Sequence, residues 1–234
     1  MNNLRTIIVI LSLVLAGLCG CGTTENAYHA GARTGLTADL ERAASGGSDI
    51  NGRSKAGATP LMVATEHGNT TAVEWLLSHG ANPNLTDIDG DTAVHIAAHY
   101  GSGPAAAILL KHGANLEAQN AEGATPLLIA VSYGWLDTVN LLLQRHANPN
   151  TPNEHGWTPL MFAARDGYIK IAQSLLRHGA NPAVHDSLGE TALALAQQEK
   201  HAELADLLKP PEAKGKTSTT APTTRPATTT QAAP

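Results

Sequence analysis

Large aromatic side chains are scarce in this chain: one phenylalanine, three tryptophans and four tyrosines in 234 residues. A single thick core normally draws on such residues, so their scarcity argues against one. Alanine and leucine carry the apolar content instead, which suits thin helical layers repeated along an axis. Cysteine is rarer still. Cys19 and Cys21 are the only two, and the body beyond them can hold neither a disulfide framework nor a thiolate metal site. Positive charge is also thin, with 15 Lys and Arg against 20 Asp and Glu and a formal net charge of −5. Nucleic-acid binding needs a basic footprint that displaces counterions from phosphate. No nucleic-acid partner is expected.

What the chain does have is a period. Gly57, Gly90, Gly123, Gly156 and Gly189 fall 33 residues apart without drift, each followed two positions later by threonine. A fixed period of this size means stacked supersecondary units. Within one unit, Thr59-Pro60-Leu61 signals a helix start, since a threonine hydroxyl can cap the first turn and proline is tolerated at the first helical position. Gly68 then stops the first helix with a left-handed backbone. A second helix over Ala72–Ser78 carries Val73, Leu76 and Leu77 at helical spacing. Gly80 closes it, and the chain runs on into an extended finger ending at Asp89-Gly90.

The starts GATPLMVAT, GDTAVHIAA, GATPLLIAV, GWTPLMFAA and GETALALAQ, with second-helix ends such as WLLSHGANPN and SLLRHGANPA, resemble ankyrin repeats. That resemblance covers residues 57–188 and implies an all-α solenoid of stacked helix-turn-helix units with finger loops. It divides the chain into full repeats at 57–89, 90–122, 123–155 and 156–188. A degenerate capping repeat at 27–56, with a helix at Leu36–Ala44, precedes them, and a C-terminal capping repeat at 189–209 follows. Three departures stand out. The family's histidine after T-P-L remains only as His95. His146 replaces a helix-ending glycine, so it either accepts a left-handed backbone or shifts the helix end. Gly101-Ser102-Gly103-Pro104 is expected to delay the second helix of its unit.

The first 20 residues read as a signal peptide. Arg5 supplies a positive n-region, and the apolar run Ile7–Leu18 is too short to span about 30 Å of hydrocarbon. Leu18-Cys19-Gly20-Cys21 resembles the lipobox of bacterial lipoproteins, which implies cleavage before Cys21 and lipid on its sulfur and amine. Cys19 departs from the usual alanine or serine there. The expected location is extracytoplasmic and membrane-anchored by lipid, on the periplasmic face of the outer membrane in a Gram-negative source. Residues 21–26 form a short tether reaching about 20 Å. Residues 210–234, rich in Thr, Pro and Ala, contain no large apolar side chain and are expected to be disordered.

The resemblance also implies where a partner binds: finger tips and first-helix ends on the concave side. In this register those positions include Asp89, Asp91, His99, Tyr100, Glu122 and Tyr133. The fourth unit adds Glu154, His155, Trp157, Arg165 and Asp166. Exposed rigid aromatics often anchor interfaces, which singles out Tyr100, Tyr133 and a finger-tip Trp157. Trp75 and Phe162 fall at core positions, and Trp135 can pack either way. The acidic fingers suit a partner with a basic patch. His95 and His99 lie one turn apart, a spacing able to grip a metal, yet no glutamate follows as in H-E-x-x-H. No nucleophile elbow, phosphate loop or carboxylate pair stands out. The expectation is a monomeric, non-enzymatic protein-binding module without metal or cofactor; the alternative is an architectural tether between envelope layers.

Overall fold

The computed structural model describes residues 26–209. Twelve α-helices and no strands lie among the described residues, paired into six hairpins. The first pair is α1 (Ala27–Thr34) and α2 (Thr37–Ser45), followed by α3 (Pro60–Glu66) with α4 (Thr70–Ser78) and α5 (Ala93–His99) with α6 (Gly103–Lys111). Then come α7 (Pro126–Ser132) with α8 (Leu136–Gln144), α9 (Pro159–Arg165) with α10 (Ile169–Arg177), and α11 (Ala192–Gln198) with α12 (Ala202–Leu208). First helices stack on first helices and second on second. This is the all-α repeat solenoid that the period implies.

The threonines and prolines act as their positions predict. The hydroxyls of Thr59, Thr125 and Thr158 accept from the third helical N–H of α3, α7 and α9 at 3.3, 3.3 and 3.4 Å. Pro60, Pro126 and Pro159 sit at the first helical position, where a backbone N–H has no intrahelical acceptor. The expected delay of α6 does not occur. It begins at Gly103, in register with Thr70 and Leu136, because Pro104 lies within the first turn and breaks no helical hydrogen bond.

Two columns of side chains explain how the stack dispenses with aromatics. Leu76, Leu109, Leu142 and Leu175, one per repeat, are each 0% exposed, as are Ala64, Ala97, Ala130, Ala163 and Ala196. The alanines let neighbouring first helices approach closely, and the leucines fill the layer behind them. The buried apolar residues form two clusters. One runs from Tyr28 to Leu109; the other runs from Leu127 to Leu208 and takes in Ala98.

The hairpins are also tied edge to edge. At the fingers, the N–H groups of Ile88, Ala121, Glu154 and Ser187 donate to the carbonyls of Ala56, Asp89, Glu122 and His155 at 3.3, 2.9, 3.1 and 3.1 Å. Near the ends of the second helices, side-chain oxygens of Asn51, Asn84, Glu117 and Asn150 accept from the N–H groups of Asn82, Asn115, Asn148 and Asn181 at 2.7–2.8 Å.

The N-terminal hairpin is more regular than its sequence. Ala27 and Thr37 open its helices, and His29 stands in register with His95. A second family histidine is therefore present, correcting the expectation that only His95 survives. At the other departure His146 accepts the left-handed backbone, with φ 69°, and α8 keeps its full length. A non-glycine residue there costs roughly 1–2 kcal/mol, partly offset by the freedom glycine gains in the unfolded chain. His146→Gly is accordingly expected to stabilise the protein by up to about 1 kcal/mol, read as a higher urea midpoint with unchanged slope.

Candidate functional site

The C-terminal ends of the first helices and the finger tips line one side of the stack, and two clusters of side chains occupy it. The first centres on His99, the last residue of α5. Its ring lies 4.8 Å from that of Tyr100 and 4.4 Å from that of Tyr133. The two tyrosines cap α5 and α7 and are 42% and 46% exposed, so both present surface to solvent. The Tyr100 hydroxyl donates to Glu66 at 3.2 Å. Burial, with Glu66 adding to it, pushes that hydroxyl up to about 12. Burial also raises Tyr133, with Asp91 and Glu122 contributing, and lowers His99 against the opposing pull of Asp91 and Glu66. The cluster is thus three adjoining rings held in their neutral forms near pH 7.

Trp135 completes this edge and resolves its two alternatives. Its indole N–H donates to the His99 carbonyl at 2.9 Å, and its ring covers Gly101, yet 43% of it stays exposed.

The second cluster is built on α9. Phe162 and Trp157 meet edge to face, with centroids 5.0 Å apart, and the Arg165 guanidinium lies over both rings at 5.0 and 5.2 Å. Asp166 holds that guanidinium through two bonds of 2.6 and 2.8 Å, which raises its pKa further. Two expectations change here. Trp157 is half-buried because its ring folds down onto Phe162, and Phe162 is half-buried at the surface instead of sealed in the core. Trp75 is likewise half-buried, stacked on His79 with centroids 3.7 Å apart. Beside the Trp157–Phe162 pair opens a pocket of about 420 Å³, walled also by Asn153, His155, Arg165, Asp186, Ser187 and the 83%-exposed Leu188.

The acidic fingers divide into two roles. Asp87 and Asp186 build turns: Asp87 Oδ1 accepts from the N–H groups of Asp89 and Asp91, and Asp186 Oδ1 accepts from those of Leu188 and Glu190. Asn120 and Asn153 perform the same task in register. Asp91 is half-buried, accepts from the Asn120 amide at 2.9 Å, and has its carboxyl pKa raised chiefly by burial. Asp89, Glu122 and Glu154 remain on exposed tips, with His155 beside them.

His95 is fully buried and engaged at both ring nitrogens. Nδ1 accepts from the Thr92 N–H at 3.1 Å and lies 2.9 Å from its hydroxyl; Nε2 donates to the Ala124 carbonyl at 3.1 Å. The His95–His99 spacing therefore joins no metal-binding group among the described residues. His79, His112 and His178, which recur in register, all cap second helices.

A family model described as ankyrin repeats (3 copies) matches the chain in overlapping stretches, residues 10–87, 28–120, 61–153, 114–186 and 146–219. The chain belongs to the ankyrin-repeat family. No curated protein matches it in a sequence comparison. Ankyrin repeats are generally non-enzymatic modules that bind other proteins. Within this ankyrin stack the first cluster occupies repeats two to four and the second repeats four and five. Sequence reasoning missed Leu188 and the pocket beside Phe162. The register held a signal for the former, since Leu188 aligns with the finger-tip residues Asp89, Glu122 and His155.

Proposed function

We propose that this ankyrin protein is anchored by lipid outside the cytoplasm and binds another protein through its finger tips and first-helix ends, thereby protecting, inhibiting or organising it. The observation that carries the reading is the Tyr100–His99–Tyr133 cluster. Two half-exposed tyrosines are already immobilised by a shared imidazole, so they lose little rotamer freedom when a partner covers them. Support for the anchor comes from the lipobox-like Leu18–Cys21, which lies outside the described residues. No helix among the described residues is long and apolar enough to cross a membrane.

The test is capture from detergent-solubilised envelopes, comparing the wild-type chain with a Tyr100→Ala/Tyr133→Ala variant and with Cys21→Ala. A specific protein is expected with the wild type, and its yield should fall more than tenfold for the double variant, equivalent to about 1.4 kcal/mol or more. Cys21→Ala should move the chain from the membrane to the soluble extracytoplasmic fraction. Equal recovery of every captured protein by the double variant would sink the proposed face, and unchanged membrane association of Cys21→Ala would sink the anchor.

A further inference from the structure

The pocket beside Trp157 contains an ionic group that the fold leaves incompletely satisfied. Asp186 is 8% exposed and forms part of the pocket wall. Its Oδ1 accepts two backbone N–H bonds, at 2.9 and 2.8 Å, which fixes the carboxylate plane. Its Oδ2 is buried and has no hydrogen-bond partner among the described residues. A buried carboxylate oxygen without a donor is unfavourable. The turn itself does not require the acid, since Asn120 and Asn153 close the corresponding turns with the same pair of backbone bonds.

The rest of the pocket narrows what could supply the missing donor. Trp157 and Phe162 provide apolar ring surface, and Trp157 already accommodates a guanidinium, that of Arg165, at 5.2 Å. Arg165 is tied at two points to Asp166, so its charge is largely answered and Asp186 is the unanswered charge in the wall. Leu188 flanks the opening and is 83% exposed, which leaves it room to swing aside.

We propose that this pocket receives an arginine side chain of the partner, with its stem and guanidinium plane against Trp157 and Phe162 and an N–H donated to Asp186 Oδ2. Arginine fits better than lysine because its planar, weakly hydrated head stacks on rings while its edge donates to a carboxylate. This rests on the protein-binding reading above and assigns the partner's chemistry at one point of the surface.

The experiment needs no identified partner. The probe is the peptide acetyl-Ala-Ala-Arg-Ala-Ala-amide, compared with versions carrying citrulline (the same shape without the charge) or lysine. Binding to the full chain is followed at the Trp157 indole N–H by NMR, assigned with Trp157→Phe. The arginine peptide should shift that resonance saturably, and the citrulline peptide should bind about tenfold more weakly, as expected for loss of one charge-assisted contact. Asp186→Asn should erase the arginine preference while keeping the fold, because it installs the residue that two sister turns already use. Equal binding of arginine and citrulline, an arginine preference that survives Asp186→Asn, or no shift at Trp157 with any peptide would each overturn the proposal. Binding that emerges only in an Arg225→Ala chain would identify the protein's own C-terminal segment as the occupant and overturn the assignment to a partner. Failure of envelope capture would leave this peptide result standing, so the two readings fail separately.

Discussion

Replacing His95 with alanine is expected to destabilise the stack by about 2–4 kcal/mol and to split its unfolding into two transitions. The magnitude follows from what the side chain holds. Without it the Thr92 N–H loses its acceptor, the Ala124 carbonyl keeps only its bond from the Asn120 N–H at 3.1 Å, and a cavity replaces a residue that is 0% exposed. The split follows from where it sits. The two buried apolar clusters divide between the third and fourth repeats, and the His95–Ala124 bond crosses that divide. In a quasi-one-dimensional stack, cooperativity depends on each interface between neighbours, so weakening the one that joins the halves should let them melt apart. His95→Met is the milder control. Met62 and Met161 show that a thioether sulfur can replace the acceptor, lying 3.3 and 3.4 Å from the N–H groups of Thr59 and Thr158. Only the imidazole bond to the Ala124 carbonyl would then be lost, and that oxygen keeps its bond from the Asn120 N–H, so the expected cost is about 1 kcal/mol.

The same residue makes stability depend on pH. Burial lowers the proton affinity of folded His95, and of His99, below that of the unfolded chain. Below about pH 6.5, where a free imidazole titrates, the unfolded state therefore binds more protons and stability falls with acidification. Asp91 acts in the opposite sense at lower pH, since its raised carboxyl pKa makes the folded state the stronger proton binder there. Urea titrations at pH 7.5 and 5.5 should show the loss in wild type and a smaller one in His95→Met. An equal loss in both would assign the effect to other groups.

The second large effect is expected at Gly90, with Gly189 as its internal control. Both glycines occupy the same finger position with nearly the same left-handed backbone, φ 79° and 80°. An alanine at either position suffers the left-handed penalty of roughly 1–2 kcal/mol. At Gly189 the added methyl would meet nothing within 4 Å, whereas at Gly90 it would lie 2.7 Å from the Ala121 backbone nitrogen. That nitrogen donates to the Asp89 carbonyl at 2.9 Å, so Gly90→Ala must push two fingers apart and break the bond between them. The expected costs are about 1–2 kcal/mol for Gly189→Ala and about 3 kcal/mol or more for Gly90→Ala. Denaturant midpoints of the two variants measure the difference; equal values would mean that finger spacing carries no stability.

Much of this was legible from register alone, and the failures share a cause. Thr59, Pro60 and their counterparts announce helix starts because their local chemistry is sufficient wherever they stand. Gly101-Ser102-Gly103-Pro104 misleads because composition suggests a breaker, while position places Pro104 where no donor is needed. His29 is hidden because Asn26-Ala27-Tyr28 precedes it instead of T-P-L, although Asn26 still caps α1 by accepting from the Tyr28 N–H at 3.0 Å. Asp87 and Asp186 count as acidic charge in a composition, yet Asn120 and Asn153 in the same column reveal them as turn residues. The burial of Trp157 could not be read, because it depends on which large side chain stands five residues on and on where Arg165 reaches. Neither is encoded in the period.

The buried histidines divide the stack in a further way. His29 donates to the Ala58 carbonyl at 2.9 Å, and His95 donates to that of Ala124. At the other three junctions the corresponding residues are Met62, Leu128 and Met161, none of which can donate, and the positions opposite them hold Asp91, Trp157 and Glu190 in place of alanine. The solenoid is therefore not an even spring. Pulled from its ends, or followed by amide hydrogen exchange, it should yield first between repeats two and three and between four and five, and later where His29, His95 or, through its Nε2 on the Arg165 carbonyl at 3.0 Å, His201 ties one repeat to the next. Asp91 and Trp157, both among the partner-facing candidates, lie on the compliant joints.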